Sequence, residues 1–353
     1  MSKKIVTVGN IPLGSGRIAV QSMTTAKTSD VESSVAQIFA FEAAGCDIAR
    51  VAVADEGDAR ALREIVSRVH IPVVADVHFS ARLAVLAVEC GANKLRINPG
   101  NIGGEREVAL VADCLKAHGV PVRVGSNTGS IEPEFLKKYG RSARSLVESA
   151  LVNVNILEKR GVENIVVSVK ASDVPLTVEA YTMLAKRTPY PLHLGVTEAG
   201  VGDAALVKSS VGIGSLLLRG IGDTIRVSLS ADPVEEVYAA HQILRACGLE
   251  EDFVEVIACP TCGRCAYDCI PLARKVSERV RGVKKRLKVA VMGCVVNGPG
   301  EAAGCDLGIA GGKDYCVVIQ KGKENERVRR EDAERVFFAR LETLLSQRCT
   351  HEE

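Results

Sequence analysis

Ile48-Ala-Arg-Val-Ala-Val53, Pro72-Val-Val-Ala-Asp-Val77 and Lys94-Leu-Arg-Ile-Asn98 are three short, β-branched, apolar runs with helical patterns between them. Runs of this length bounded by turn signals read as buried strands. The alternation continues outward in both directions. Ile18-Ala-Val-Gln-Ser-Met23 precedes them, and Pro121-Val-Arg-Val-Gly-Ser-Asn127 and Asn164-Ile-Val-Val-Ser-Val-Lys170 follow. Leu192-His-Leu-Gly-Val-Thr-Glu198 and Thr224-Ile-Arg-Val-Ser-Leu229 complete a set of eight. Helical patterns fall over 31–44, 58–69, 106–117 and 143–159, and Gly45, Gly91, Gly119 and Gly161 stand where helices hand over to strands. A glycine there suits the left-handed residue that ends a helix. Eight strands in strict alternation with helices predict a (β/α)₈ barrel. A doubly wound open sheet is the alternative, but no G-x-G-x-x-G follows a strand. The stretch from Val8-Gly9 to Gly14-Ser15-Gly16 precedes the first strand and reads as a turn or hairpin.

Near residue 250 the pattern changes. Glu250-Glu251-Asp252 is a polar break. Beyond it come a strand over 253–258, a cysteine-rich loop, a helix over 270–280 and a strand over 287–292. A glycine-rich loop, strands over 306–310 and 315–320 and an amphipathic helix over 331–345 follow. The charged stretch 321–330 reads as a solvated hairpin or loop. The expected organisation is a barrel over residues 1–248 and a small α+β domain over 249–353.

The chain has 353 residues, is 47% hydrophobic and carries a formal charge of +2, so nothing in its charge calls for nucleic acid or a membrane surface. Tryptophan is absent and aromatics are 4%, which leaves few platforms for base stacking. Neither an N-terminal apolar run of signal length nor a stretch long enough to span a membrane is present, so the expected location is the cytoplasm. Cysteines there stay reduced, and clustered ones read as metal ligands. Cys46, Cys90, Cys114 and Cys247 occur singly and read as small core residues.

Polar residues inside apolar strands carry information, because a barrel places its chemistry at the C-terminal strand ends. Residues two apart on a strand share a face. Arg50, Arg96 with Asn98, Arg123 with Asn127, Ser168 with Lys170, and Arg226 with Ser228 therefore converge on one mouth. Asp76 and His78 join them, and Glu198 closes the seventh strand. A ring of cations in a water-poor mouth suits a phosphate or diphosphate. Asp55, Asp76 and Glu198 are the acids available to pair with some of these arginines. Asp232-Pro233 reads as a helix cap followed by a first-turn proline.

Twelve cysteines are present, and six lie between positions 259 and 305. Cys259, Cys262, Cys265 and Cys269 follow the C-x₂-C-x₂-C-x₃-C spacing of bacterial-type ferredoxins. A zinc site from Cys259, Cys262, Cys294 and Cys305 is the rival, and spacing leaves both open. Together with the cationic mouth, the cysteines point to reductive chemistry on a phosphorylated substrate.

Several motifs occur in order: Gln21-Ser-Met-Thr24, Val77-His-Phe79, Arg96-Ile-Asn-Pro-Gly-Asn101, Ser168-Val-Lys-Ala-Ser-Asp173, Gly195-Val-Thr-Glu-Ala-Gly200 and Gly222-Asp-Thr-Ile-Arg-Val-Ser228. Cys259-Pro-Thr-Cys-Gly-Arg264 and Gly293-Cys-Val-Val-Asn-Gly-Pro-Gly-Glu301 follow. The set resembles the 4-hydroxy-3-methylbut-2-enyl diphosphate synthase family, in its short bacterial form, over nearly the whole chain. The resemblance implies a (β/α)₈ barrel followed by a [4Fe-4S] domain. It implies reduction of 2-C-methyl-D-erythritol 2,4-cyclodiphosphate, with flavodoxin or ferredoxin as electron donor. It also implies a homodimer in which one subunit's cluster domain serves the other's barrel. Carried over by motif, the cluster ligands fall on Cys259, Cys262, Cys294 and Glu301. The diphosphate cradle falls on Arg50, Arg96, Arg123, Asn127, Lys170 and Ser228. Glu198, Asp76, His78 and Asn297 fall in catalytic positions. Cys265 and Cys269 are additions that the family motif does not require.

Overall fold

The computed structural model describes residues 3–129 and 131–347. The chain opens with an antiparallel hairpin, β1 (Val6–Val8) and β2 (Ile11–Leu13), turning through Gly9 at φ +58°. The expected barrel strands follow as β3 (Ala19–Met23), β4 (Ile48–Ala52), β5 (Val73–Asp76), β6 (Lys94–Ile97), β7 (Val122–Asn127), β8 (Ile165–Lys170), β9 (His193–Leu194) and β10 (Thr224–Ile225). They form a parallel sheet in the order β8-β7-β6-β5-β4-β3-β10-β9. An isolated parallel bridge between Val167 and Leu192 joins the two ends, so the sheet closes on itself.

Every residue of β5, β6 and β8 is buried. That burial on both faces explains the near-continuous Val, Ile, Leu and Ala runs, since helices cover the outside and side chains fill the inside. The helices start where short polar side chains can accept a first-turn N–H. Asp30, Asp55, Ser80, Ser142, Asp173 and Asp232 all do so, each cap contributing about 1 kcal/mol. Gly45 and Gly119 end two helices in the left-handed region, at φ 94° and 65°. The hairpin also has a role. Val6, Val8 and Leu13 pack against Ala19, Ile48, Val74 and Val166, which are inward residues early in their strands. The hairpin therefore seals the N-terminal end, and the polar chemistry is left to the opposite mouth.

β9 and β10 pair over two residues each, shorter than the seven- and six-residue runs that the sequence suggests. Past Leu194 and Ile225 the chain leaves the ladder. Gly195 sits at that divergence. A Cβ there would lie 2.6 Å from Lys170 Nζ and 2.8 Å from the Arg226 carbonyl, so the crowding requires glycine.

The chain divides into two compact units, Met1–Leu249 and Glu250–Glu353. The second is a sheet ordered β11 (Val254–Ala258), β12 (Leu287–Met292), β13 (Leu307–Gly311), β14 (Tyr315–Gln320) and β15 (Glu326–Arg329). The first three strands run parallel and the last two antiparallel. The charged stretch 321–330 is the expected hairpin, but its second limb is a fifth strand. Only Val328 of that limb is buried, which explains why the stretch reads as solvated. Helices Ile270–Arg279 and Arg330–Ser346 cover one face through Leu272, Val276, Phe337 and Leu341. The short helix Gly298–Ala302 lies against the other, beside Met292 and Ala310. Among the described residues no helix is long and apolar enough to cross a membrane.

Candidate active site and metal centre

Register places the barrel's polar side chains. Asp76 on β5 stands opposite Arg96 on β6, and Arg96 opposite Arg123 on β7. Asn127 at the end of β7 stands opposite Lys170 at the end of β8. The sequence expectation of a shared inward face therefore holds across four adjacent strands.

Asp76 is the hub. Its Oδ1 accepts from Arg96 Nη1 at 3.1 Å, and its Oδ2 lies 3.6 Å from Arg50 Nη2 and 3.3 Å from His78 Nε2. Arg96 Nη1 also lies 3.3 Å from His78 Nδ1. The same Arg96 nitrogen lies 3.1 Å from His78 Nε2, so the imidazole sits against both Asp76 and Arg96. Burial alone would raise the Asp76 carboxyl, but Arg50, His78 and Arg96 outweigh it and hold the carboxyl well below the usual range. Asp76 is therefore an ionised anchor.

The cations outnumber that anchor. Arg123 is 2% exposed and donates from Nη1 to Ser168 Oγ at 3.4 Å. Arg96 Nε and Arg123 Nε are buried without a hydrogen-bond partner among the described residues. Burial, then the charges of Arg123, Arg226, Arg50 and Arg96, pull the Lys170 ammonium well below the usual lysine range. Burial likewise brings Arg50 down to about 10 despite Asp76. Such a field favours an incoming polyanion. Arg226 departs from the ring: its Nε and Nη2 both donate at 3.3 Å to Glu236, a buried residue of the helix after β10. Ser228 lies half-buried in the segment beyond β10.

Glu198 is exposed at the same end of the barrel and has φ 52°. Among the described residues only Thr261, at φ 60°, shares that left-handed conformation without being glycine. A non-glycine residue there stores backbone strain of about 1–3 kcal/mol, which functional loops often hold. Thr261 lies between Cys259 and Cys262, so both strained positions fall on candidate functional loops. Asp55 caps its helix and lies only within 4.0 Å of Lys27, away from the arginines.

Three polar residues of the interior escaped the sequence reading. Lys94 and His193 are fully buried, and Lys94 Nζ reaches Gln21 Oε1 at 3.5 Å. Strand parity could have found Lys94, which precedes Arg96 by two. Glu236 gave no such signal, because it comes from a helix.

The second unit assembles the cysteines by topology. Ala258 and Val291 are register partners on adjacent parallel strands, so Cys259 and Cys294 leave neighbouring strand ends. Cys259 N donates to Val291 O at 2.9 Å. Ala266 N and Tyr267 N both donate to Gly293 O, tying the Cys262 loop to the residue before Cys294. Glu301 and Asn297 belong to the next turn, at the short helix Gly298–Ala302.

The thiols differ in character. Backbone N–H groups of Asn297, Val296 and Gly298 pull the Cys294 thiol below its ordinary value. Burial pushes Cys269 up to about 11, and Cys265 and Cys259 add to the rise. Cys305 is buried in the small apolar cluster and is also raised. Metals bind the thiolate, and of these three thiols Cys294 is the one whose surroundings favour it. Among the described residues no three His, Cys, Asp or Glu donors close around one ion, and this holds alike for the four-cysteine set and for Cys259, Cys262, Cys294 and Glu301.

Comparison with known proteins agrees with this architecture. Residues 3–241 match the GcpE TIM-barrel domain, and residues 255–343 match the GcpE protein C-terminal domain. The chain is 51% identical over 344 residues to the 4-hydroxy-3-methylbut-2-en-1-yl diphosphate synthase (flavodoxin) of Caldanaerobacter subterraneus subsp. tengcongensis, covering 97% of each chain. It is 50% identical over 348 residues to the enzyme of that name from Desulfotalea psychrophila, covering 97% of this chain and 96% of the other. Among solved structures, the phospho-2-dehydro-3-deoxyheptonate aldolase of Thermotoga maritima superposes with a TM-score of 0.53 at 14% identity, over 70% of this chain and 75% of that one. That likeness concerns the barrel fold alone. The chain belongs to the GcpE family, the 4-hydroxy-3-methylbut-2-en-1-yl diphosphate synthases, which are iron–sulfur oxidoreductases of isoprenoid biosynthesis.

Proposed function

We propose that the barrel mouth cradles the diphosphate of the substrate and that Cys259, Cys262, Cys294 and Glu301 hold a [4Fe-4S] cluster. The reaction is reduction of 2-C-methyl-D-erythritol 2,4-cyclodiphosphate to (E)-4-hydroxy-3-methylbut-2-enyl diphosphate. Two electrons and two protons are consumed, the ring opens, and one oxygen leaves as water. The observation that carries the cradle is the surplus of buried cations over the two carboxylates among them, Asp76 and Glu236.

Arg96, Arg123 and Lys170 neutralise the diphosphate, and Arg50 flanks them. Asn127 and Ser228 supply amide and hydroxyl donors at the same mouth. Asp76 holds Arg50, Arg96 and His78 in place; it is a positioning residue, since a carboxylate so firmly ionised donates no proton. Glu198 delivers the proton to the departing oxygen, and its strained turn fixes where the carboxyl sits.

The donor set fits the cluster. Three thiols and a carboxylate lie on loops leaving adjacent strand ends, and Cys294 is eased toward thiolate by three amides. A carboxylate binds iron less firmly than thiolate, so Glu301 leaves one position exchangeable. When bound, the cluster supplies electrons one at a time. Asn297 stands in the loop between Cys294 and Glu301. The donor is flavodoxin, which the names of the curated relatives carry.

A homodimer completes the reading. Val207, Val211 and Leu218 are 60%, 55% and 71% exposed on and just beyond one barrel helix, Gly202–Leu217. An apolar face of that kind supports a subunit contact.

The test uses anaerobically reconstituted protein. Cys294→Ala and Glu301→Ala should lower iron content or change the spectrum of the reduced cluster. Arg96→Ala should leave iron intact and abolish the thermal stabilisation given by inorganic pyrophosphate. A normal cluster in Cys294→Ala would sink the ligand set, and undiminished pyrophosphate binding in Arg96→Ala would sink the cradle.

A further inference from the structure

Two thiols in the cluster loop take no part in that reading. Cys265 N donates to Cys262 O, and the Ala266 and Tyr267 amides donate to Gly293 O, so residues 265–269 form an arch pinned at its middle. The sulfurs at its two ends converge on the same spot. A Cβ at Gly293 would lie 2.5 Å from Cys265 Sγ and 3.2 Å from Cys269 Sγ. Glycine at 293 is what gives both sulfurs room. Gly311 does the same for the middle of the arch, where a Cβ would fall 2.1 Å from Tyr267 Cβ. Packing alone accounts for Cys269, which is fully buried. It does not account for Cys265, which is partly exposed and donates from Sγ to Tyr267 O at 3.1 Å.

We propose that Cys265 and Cys269 are a dithiol pair that closes reversibly to a disulfide when a small-molecule disulfide oxidises it. The exposed partner reacts first. Cys265 thiolate attacks one sulfur of the small disulfide, forming a mixed disulfide and releasing one thiolate. Cys269, held beside it, then displaces the second thiol and forms the Cys265–Cys269 bond. The protein loses two electrons and two protons, and the small disulfide gains both as two thiols. An accessible attacking cysteine beside a shielded resolving one is the arrangement redox-responsive pairs use. The inference rests on the reading that Cys259, Cys262, Cys294 and Glu301 hold the cluster, which leaves these two thiols free.

The chain offers a clean assay. Trypsin releases Cys265-Ala-Tyr-Asp-Cys-Ile-Pro-Leu-Ala-Arg274, which contains both cysteines and no other. The holoprotein is treated anaerobically with oxidised glutathione, alkylated, digested and weighed by mass spectrometry. The expected product is this peptide unalkylated and lighter by two hydrogens, with iron content unchanged and both alkylations restored by dithiothreitol. Cys265→Ser should leave Cys269 resistant to oxidation, because the attacking thiol is gone. The proposal is overturned if the peptide stays doubly alkylatable, or if either thiol pairs with Cys259, Cys262 or Cys294 instead. Iron analysis separates the two levels. Loss of iron from Cys265→Ser shows that Cys265 is a ligand and the ligand reading fails. Full iron with no disulfide means that the dithiol alone is wrong.

Discussion

Lys170 illustrates how a binding residue can burden the fold that carries it. It is 8% exposed, and burial and four arginines disfavour its charge. Its folded pKa is thus depressed below the unfolded value of about 10.4. Between those two values the unfolded chain holds the extra proton, so stability rises with pH, and below the folded value the full penalty applies. Lys170→Met should therefore make the ligand-free protein more stable at neutral pH, by about 1–4 kcal/mol. The gain should shrink toward zero as the pH approaches 10.4. The same substitution should remove most of the stabilisation by pyrophosphate, because the polyanion is what makes the charged form favourable. Urea unfolding of both proteins across pH, with and without pyrophosphate, measures both effects. A destabilised Lys170→Met at neutral pH would show that the ammonium is structurally paired.

Strands, not single residues, are what Asp76 joins. It ends β5 and holds Arg50 from β4 and Arg96 from β6. Its folded pKa is depressed, so its contribution is complete above the unfolded value of about 3.9 and is lost as the pH falls through the lower folded value. Asp76→Asn should cost about 3–5 kcal/mol at neutral pH, since it strips the counter-charge from buried arginines. As the pH falls below about 4 the gap between the two proteins should narrow steadily. Thermal melts over that range decide it; a constant gap down to the lowest pH would assign the loss to packing. This hub was only partly legible in the sequence. Period-two spacing placed Asp76, Arg96, Arg123 and Lys170 on one face, because the alternation is fixed by backbone geometry. The pairing of Arg226 with Glu236 was not legible, because a helix residue reaches the barrel only after packing sets its height. The ends of β9 and β10 were hidden for a similar reason: apolar runs continue past the point where Gly195 lets the ladder open. Likewise the ferredoxin-like spacing gave no sign of the burial of Cys269 on the Gly293 side, which becomes visible only once β11 and β12 pair.

At the scale of the whole molecule, the cradle and the cluster donors belong to different compact units, each with its own core. Under the proposed assignment neither unit holds both the cradle and the cluster donors, so turnover would need one of each. In the proposed homodimer the two come from different chains, and this has a consequence that a single chain cannot imitate. Lys170→Ala damages only the barrel, and Cys294→Ala only the cluster donors, so each homodimer should be inactive. In a mixed dimer, the intact barrel of the Cys294→Ala subunit faces the intact cluster domain of the Lys170→Ala subunit. One of its two sites is then whole. Random pairing of co-expressed subunits makes half of the dimers mixed, which should restore about a quarter of wild-type turnover. If each chain served its own barrel, the mixed dimer would contain no intact site and turnover would stay at background. Purifying the mixed dimer on two different affinity tags and assaying it with reduced flavodoxin distinguishes the outcomes. Iron content near half of the wild-type value would confirm that one subunit alone carries the cluster.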